Sequence, residues 1–265
     1  MDNTPFSFAF VTDPQIGMNS PQGLNGPGSD RERLEFAIDF INTNGIDFTI
    51  FGGDHINSTD SDEELDIFLE CVARLEVPHY GVTGNHDISD PREQESIYTQ
   101  RSAPDGFSFI HKNVFFYGLN ASRLRGNWGE DLQREGWDEL KGAFGSLGED
   151  CTARFVVMHW PLFASHPCEE ETYWNMQNRG ELVDFFRENN VTCVLSGHWH
   201  QDIDAVWNGV RFSTSIGLSK PIQYPEERAV QHPRFRGEEF SWYEERCTGC
   251  ASCAKYCPLG IIRIV

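Results

Sequence analysis

Between residues 6 and 217 the chain alternates short apolar runs of strand length with longer amphipathic stretches, an order that few architectures accommodate. Strands are expected at 6–12, 47–52, 79–83, 154–158 and 192–195, with helices at 29–44, 61–75, 92–101, 130–147 and 180–189. Leu34, Ile38 and Ile41 share one face of the first helix, the spacing of a stripe pressed onto a sheet. Ser61 followed three residues later by Glu64 gives the second helix a capping-box start. Runs 107–111 and 114–119 pair around a turn at Lys112 and Asn113, and Asn208 with Gly209, between 204–207 and 210–213, is a type I′ hairpin signal. The fold class is therefore α/β with hairpins added late. Pro221, Pro225 and Pro233 mark residues 217–236 as an irregular return or linker.

Along that framework, acids, amides and histidines collect where strands end. Asp13 and Gln15 follow the first strand, Asp54 the second within Gly52-Gly53-Asp54, and Asn85, His86 and Asp87 the third within Gly84-Asn85-His86-Asp87. His159 closes the strand 154–158, and His198 and His200 follow 192–195 in Gly197-His198-Trp199-His200. An aspartate after two glycines is ordinarily a turn residue, and a lone histidine beside a strand ordinarily packs in a core. Five such clusters, all of metal-ligand type and all at strand exits, exceed what turn chemistry produces. The C-terminal edge of parallel strands is also where α/β sheets bind ligands.

The ordered set Asp13-x-Gln15, Gly53-Asp54, Gly84-Asn85-His86-Asp87, His159 and Gly197-His198-x-His200 resembles the calcineurin-like metallophosphoesterase superfamily over about residues 6–217. The resemblance implies a four-layer α/β/β/α sandwich over residues 1–220 with two metals at the sheet edge. One metal would take Asp13, Gln15 and His200, the other Asn85, His159 and His198, and Asp54 would bridge them. His86 would stand beside the leaving group, with Asp87 available to orient or charge it. The implied reaction is hydrolysis of a phosphomonoester by attack of dinuclear-metal-activated hydroxide on phosphorus. Cyclic nucleotides or other small diesters are the alternative substrates, and a small phosphorylated molecule or a phosphoprotein is the implied partner. Mixed imidazole and oxygen donors suit Mn, Fe or Zn better than Ca or Mg. Neutral imidazole is the ligating form, so activity is expected to collapse in mild acid.

Departures from the commonest pattern matter. Gln15 stands where many members have histidine, as in a branch of Ser/Thr-type phosphatases that carries Asp-Pro-Gln. The best-known protein phosphatases pair the catalytic histidine with an aspartate three residues after the bridging one and place an arginine next to it. Here those places hold Asn57 and Ser58. Arg31, Arg92, Arg123 and Lys220 are the loop cations available for a substrate phosphate, and Trp160, Phe163, Tyr173 and Trp174 are candidates for either a pocket wall or core.

Cys71, Cys151, Cys168 and Cys193 are scattered and read as mostly buried thiols, whereas Cys247-x2-Cys250-x2-Cys253-x3-Cys257-Pro258 matches the bacterial ferredoxin run. Residues 221–246 would link the body to this 4Fe-4S segment at 247–265, with 259–265 as its apolar cover. Zinc is the alternative occupant. The tail resembles one half of a two-cluster ferredoxin, so an iron-sulfur electron-transfer protein with a redox partner is the competing class of function.

Lys and Arg total 21 against 41 Asp and Glu, a balance of −20 that repels phosphate backbones and excludes binding of nucleic acid through a basic patch. Twenty Phe and seven Trp supply enough burial to oppose disorder. No apolar run reaches the ~18 residues of a membrane span, and the first residues lack a signal-peptide pattern, so a cytoplasmic protein is expected.

Overall fold

A computed structural model describes residues 4–59, 61–88, 101, 106–125, 128–148, 151–163, 176, 179–219 and 261–264. The four tail cysteines, the linker 221–246, most of the expected helix 92–101, and Arg92, Cys168, Tyr173, Trp174 and Lys220 lie outside them.

Two sheets face one another. The first has the order β10-β1-β2-β3, with β1 (Phe6–Val11), β2 (Phe48–Phe51) and β3 (His79–Gly81) parallel and β10 (Ile261–Ile264) antiparallel on the β1 edge. The second has the order β4-β5-β6-β7-β9-β8, from β4 (Phe107–His111), β5 (Val114–Gly118), β6 (Ala153–Val157), β7 (Cys193–Ser196), β8 (Ile203–Trp207) and β9 (Val210–Thr214). Its four inner strands are parallel, and β4 and β8 close the edges antiparallel.

Strand periodicity of two sorts the side chains into layers. Phe6, Phe8 and Phe10 of β1, Phe48 and Ile50 of β2, Phe116 of β5 and Phe155 of β6 meet between the sheets. Phe8 stacks on Phe48 with ring centroids 5.3 Å apart, and Phe116 on Phe155 at 5.2 Å. Each ring so enclosed contributes about 1.5–3 kcal/mol of burial. Alternate residues Ala9, Val11 and Phe51 face α1 (Asp30–Thr43) and α2 (Asp62–Val72). Phe115, Tyr117, Val156 and Val194 face the other outer layer, α3 (Ala121–Leu124), α4 (Glu130–Gly145) and α5 (Arg179–Glu188). The result is the α/β/β/α sandwich that the resemblance implied. No helix among the described residues is long and apolar enough to cross a membrane.

Ser29 caps α1 by accepting from Glu32 N, and Asn208 and Gly209 both take positive φ (51° and 84°), as a type I′ turn requires. One local expectation needs correction. Ser61 Oγ does accept from Glu64 N at 3.3 Å, but Ser61 N bonds to Ser58 O instead, so the capping box is only half made. Ile261–Ile264, within the expected apolar cover, extends the first sheet as β10, with Ile261 opposite Ala9 and Ile264 opposite Phe6. The open edge of β1 supplies the unpaired backbone groups that invite such a strand. Cys71 and Cys193 are buried and Cys151 half-buried; burial pushes the Cys71 thiol up to about 11, where it is inert.

Candidate metal centre

All seven expected ligands lie at the ends of β1, β2, β3, β6 and β7, drawn together by bonds between the loops. Asp13 N donates to Gly53 O (3.0 Å), Gln15 N to Asp54 O (2.9 Å) and Gly197 N to His159 O (3.0 Å). His198 N donates to both carboxylate oxygens of Asp13 (3.1 and 3.0 Å), tying the second sheet to the first. Five of the seven sit in the left-handed backbone region: Asp13 (φ 50°), Gln15 (37°), Asp54 (51°), His198 (70°) and His200 (48°). Each costs roughly 1 kcal/mol or more for a non-glycine residue, and such strain clusters where function requires it. A Cβ at Gly53 would come within 2.6 Å of His159 Nδ1, so a bare backbone is needed for the ring to seat.

His159 is fully buried, and its Nδ1 faces Gly52 O at 2.8 Å. A carbonyl only accepts, so Nδ1 carries the proton and Nε2 is the free ligating atom. That Nε2 lies 3.2 Å from both Asp54 Oδ2 and Asn85 Oδ1. Three lone-pair atoms converging in a buried space require a cation among them. Without metal, the proton plays that part: burial alone would favour the neutral ring, yet Asp54 pushes His159 up to about 9. Burial likewise opposes ionisation of Asp54, and the His159 charge outweighs it and holds the carboxyl below its ordinary range. His198 completes this half; single ligand atoms of Asp54, His159 and His198 all lie within 4.8 Å of one another. Burial, then the charge of His159, pushes His198 down to about 3, leaving a neutral imidazole.

On the other half, His200 Nε2 stands 3.2 Å from Asp13 Oδ1, while Asp13 Oδ2 accepts from Thr12 Oγ1 at 2.6 Å. Gln15 is 2% exposed and its Oε1 accepts no hydrogen bond among the described residues. An orphaned buried amide oxygen costs about 1–3 kcal/mol unless something electropositive meets it. Both halves thus offer oxygen and imidazole donors with unmet acceptor capacity, a set that fits a pair of divalent cations.

His86 is half-buried. Its N donates to Asp54 Oδ1 (2.8 Å) and its Nδ1 to the main-chain oxygen of Asn57 (2.6 Å). The position of the absent aspartate dyad is therefore served by a backbone carbonyl. Asp87 does not orient His86. Its carboxylate is fully buried and accepts from His55 N (2.7 Å), Gly84 N (2.8 Å) and Ile56 N (3.3 Å), with His55 Nδ1 at 2.9 Å. With both oxygens engaged it braces the loops after β2 and β3. His55 went unnoticed in the sequence because nothing local separates a bracing histidine from a spare one.

Of the expected substrate cations, the two among the described residues are otherwise engaged: Arg31 bonds Glu35 and Glu70, each at 3.0 Å, and Arg123 bonds Glu139 at 2.7 Å. Phe163 is core, packed on Trp207 and Phe212. Trp160 is buried too, but its ring lies 4.1 Å from that of His198 and carries the buried Arg125 guanidinium 3.6 Å above it. Only a fold brings that His198-Trp160-Arg125 stack together, from three separate loops.

Residues 6–202 match the family model of calcineurin-like phosphoesterases, and residues 240–263 that of the 4Fe-4S binding domain. The chain is 26% identical over 236 residues to the serine/threonine-protein phosphatase CPPED1 of Rattus norvegicus, covering 81% of this chain and 75% of the relative. It is 24% identical over 220 residues to the 3',5'-cyclic adenosine monophosphate phosphodiesterase CpdA of Haemophilus influenzae, covering 81% and 78%. Among solved structures, a dimetal phosphatase from Danio rerio superposes with a TM-score of 0.60 at 18% identity, over 80% of this chain and 88% of that one. With the family model spanning most of the chain, this protein belongs to the calcineurin-like phosphoesterases and is a hydrolase of phosphoester bonds.

Proposed function

We propose that the chain is a phosphomonoesterase in which Asp13, Gln15 and His200 hold one divalent ion, Asn85, His159 and His198 hold a second, and Asp54 contacts both. Mn, Fe and Zn are the ions this donor set favours. When bound, such a pair supplies Lewis acidity: it neutralises phosphoryl oxygens, lowers the pKa of water and aligns attack. The protein's own groups do the rest. Asp54 anchors His86 through its main-chain N–H, and the Asn57 carbonyl accepts from Nδ1–H, so the imidazolium form presents its second proton on Nε2 to the departing oxygen and is left as the neutral Nδ1–H ring. The Gly52 carbonyl sets the His159 tautomer in the same manner.

The observation that carries this reading is the anchoring of His86 on a carboxylate that also contacts His159 Nε2, because it couples a proton donor to the metal cradle. Likeness to a phosphatase across 81% of the chain supports the monoester; equal coverage by a cyclic-nucleotide phosphodiesterase supports a diester as the second reading. With a formal charge of −20 the general field opposes an anionic substrate, so attraction must come from the metals. The test is hydrolysis of p-nitrophenyl phosphate, bis-p-nitrophenyl phosphate and 3',5'-cyclic AMP by the full chain, purified without oxygen, with Mn, Fe or Zn added. Turnover of the diesters with none of the monoester overturns the first reading in favour of the second.

The tail, residues 247–265, we read as a segment ending in β10 in which Cys247, Cys250, Cys253 and Cys257 hold a 4Fe-4S cluster that exchanges electrons with a redox partner. The match of residues 240–263 to a 4Fe-4S binding domain supports it, and thiolate ligation fits a reducing cytoplasm. Iron and acid-labile sulfide counted on wild type and on the four-fold Cys→Ser variant test this; zinc in place of iron would refute it.

A further inference from the structure

We infer that Glu64 is a positioning residue for His86, acting through the peptide unit between Asn57 and Ser58. The inference rests on the proposed role of His86 as proton donor. Glu64 is 8% exposed, in the first turn of α2, and its spacing from Ser61 suits a reciprocal cap. It forgoes that bond. Oε2 accepts instead from Ser58 N at 2.7 Å and Asn57 N at 3.0 Å, and Oε1 from Ser58 Oγ at 3.3 Å. The Ser58 N–H belongs to the same planar trans peptide as the Asn57 C=O, so the two point in opposite directions. Holding one aims the other, and the Asn57 oxygen is the acceptor for His86 Nδ1 at 2.6 Å. A carboxylate on the N–H also polarises that carbonyl and strengthens it as an acceptor. Negative charge thus reaches His86 from Glu64 across one peptide, where no acidic side chain stands at position 57.

Two further contacts fix Glu64 at a junction. Asn57 N is shared with Ile16 O at 3.0 Å, which links this turn to the loop carrying Gln15. On the same side, Gly17 presents bare backbone at φ 105°, and a Cβ there would run into Glu64 Oε1.

The experiment compares p-nitrophenyl phosphate, whose leaving group needs no proton, with glycerol phosphate, whose alkoxide does. Glu64→Leu is expected to lower kcat on glycerol phosphate by about tenfold or more, within the range of a misdirected general acid. On p-nitrophenyl phosphate kcat should stay within about twofold, with KM and bound metal unchanged. Glu64→Gln, whose amide oxygen can still accept from both N–H groups, should restore most of the loss, short of the part carried by the carboxylate's charge. Gly17→Ala, which displaces the carboxylate from its other side, should reproduce it even if Glu64→Leu does not fold. Independently of turnover, the His86 Nδ1–H proton resonance of the metal-free protein should persist in Glu64→Gln and disappear in Glu64→Leu or Gly17→Ala. Equal loss on both substrates, loss of metal, or a resonance unmoved in the disrupting variants overturns the inference. A His86→Ala variant that slows both substrates alike, with the resonance behaving as expected, overturns the proton-donor reading while leaving Glu64 as the residue that positions the ring.

Discussion

The half of the centre built on Asp54 and the half built on Asp13 meet the same electrostatic demand by different means. Around Asp54, His159 Nε2 and Asn85 Oδ1 converge at 3.2 Å, and the metal-free protein keeps a proton there, with His159 up to about 9. Around Asp13, the carboxylate is bound by Thr12 Oγ1 and by His198 N, while the amide oxygen of Gln15 has no partner among the described residues. One half is compensated before any metal arrives; the other carries an unmet acceptor. The first should therefore bind metal in competition with protons, and the second should bind more weakly, with a neutral amide in place of an imidazole or carboxylate.

Removing Asp54, proposed to contact both metals, is the strongest way to break the comparison. Asp54→Ala takes the oxygen that faces His159 and the one that anchors His86 N. We expect both metals to be lost together and kcat/KM to fall by more than about 10³-fold, a barrier increase of over about 4 kcal/mol. Metal analysis beside steady-state kinetics checks it; loss of a single equivalent would mean that the halves are independent.

Acidity separates the halves next. Below pH ~9 the Asp54 half must expel the His159 proton to take metal, so its apparent affinity should rise about tenfold per pH unit from 6.5 to 9. His198, pushed down to about 3, has no proton to release there. For folding, the sign is opposite. A histidine raised from 6.5 to about 9 contributes stability that is fully present below 6.5 and is lost as pH rises through 9. Asp54, held low, contributes above the ordinary carboxylate range and loses its contribution in acid. The metal-free protein should thus soften between pH 6.5 and 9 while the metal-loaded one does not. Thermal melts with and without metal read this directly, and calorimetric titration in buffers of differing ionisation enthalpy should count about one proton released.

How much of this was legible in the chain depends on the distance over which each cue acts. Asp13, Asp54, Asn85, His159, His198 and His200 announce themselves because each follows a strand, and parallel strands deliver their ends to a common edge. The layers were implied by the family resemblance, and the structure shows the alternation that builds them, with Phe6, Phe8 and Phe10 on one face of β1 and Ala9 and Val11 on the other. Hidden were contacts made across loops. Asp87 looked like a partner for its neighbour His86 and instead binds His55, 32 residues earlier. Glu64 looked like half of a capping box and instead holds the turn at Asn57 and Ser58. Arg31 looked free to meet a phosphate, but Glu70, 39 residues on, takes it. Spacing rules describe neighbours on one element, and these residues are used by another.

Gln15 allows the comparison to be sharpened. Gln15→His should raise affinity at the Asp13 half by about tenfold, because imidazole is a stronger ligand for Mn, Fe or Zn than a neutral amide. Gln15→Met, of similar length without the orphaned oxygen, should cost that half its metal and yet stabilise the metal-free protein by about 1 kcal/mol or more. Stoichiometric metal titration and chemical denaturation of the stripped protein separate the two effects. A Gln15→Met variant that is no more stable than wild type would mean that the oxygen is satisfied in solution without metal.

Thr12 tests the smallest difference between the halves, the support behind the ligand rather than the ligand. Its hydroxyl donates to Asp13 Oδ2 at 2.6 Å, with Gly52 O a longer second acceptor at 3.3 Å. Thr12→Val keeps the shape and removes the donor. Losing such a supporting bond commonly weakens metal binding by about 10–100-fold. Here Asp13 retains two contacts from His198 N, so the loss should be about tenfold or less and confined to the Asp13 half. The Asp54 half, whose orienting bond runs from His159 Nδ1 to Gly52 O, should keep its affinity and its pH slope unchanged. An equal fall in both halves would show that Gly52, which both supports touch, transmits a shift in one loop to the other, and the two sites would then have to be treated as a single rigid cradle.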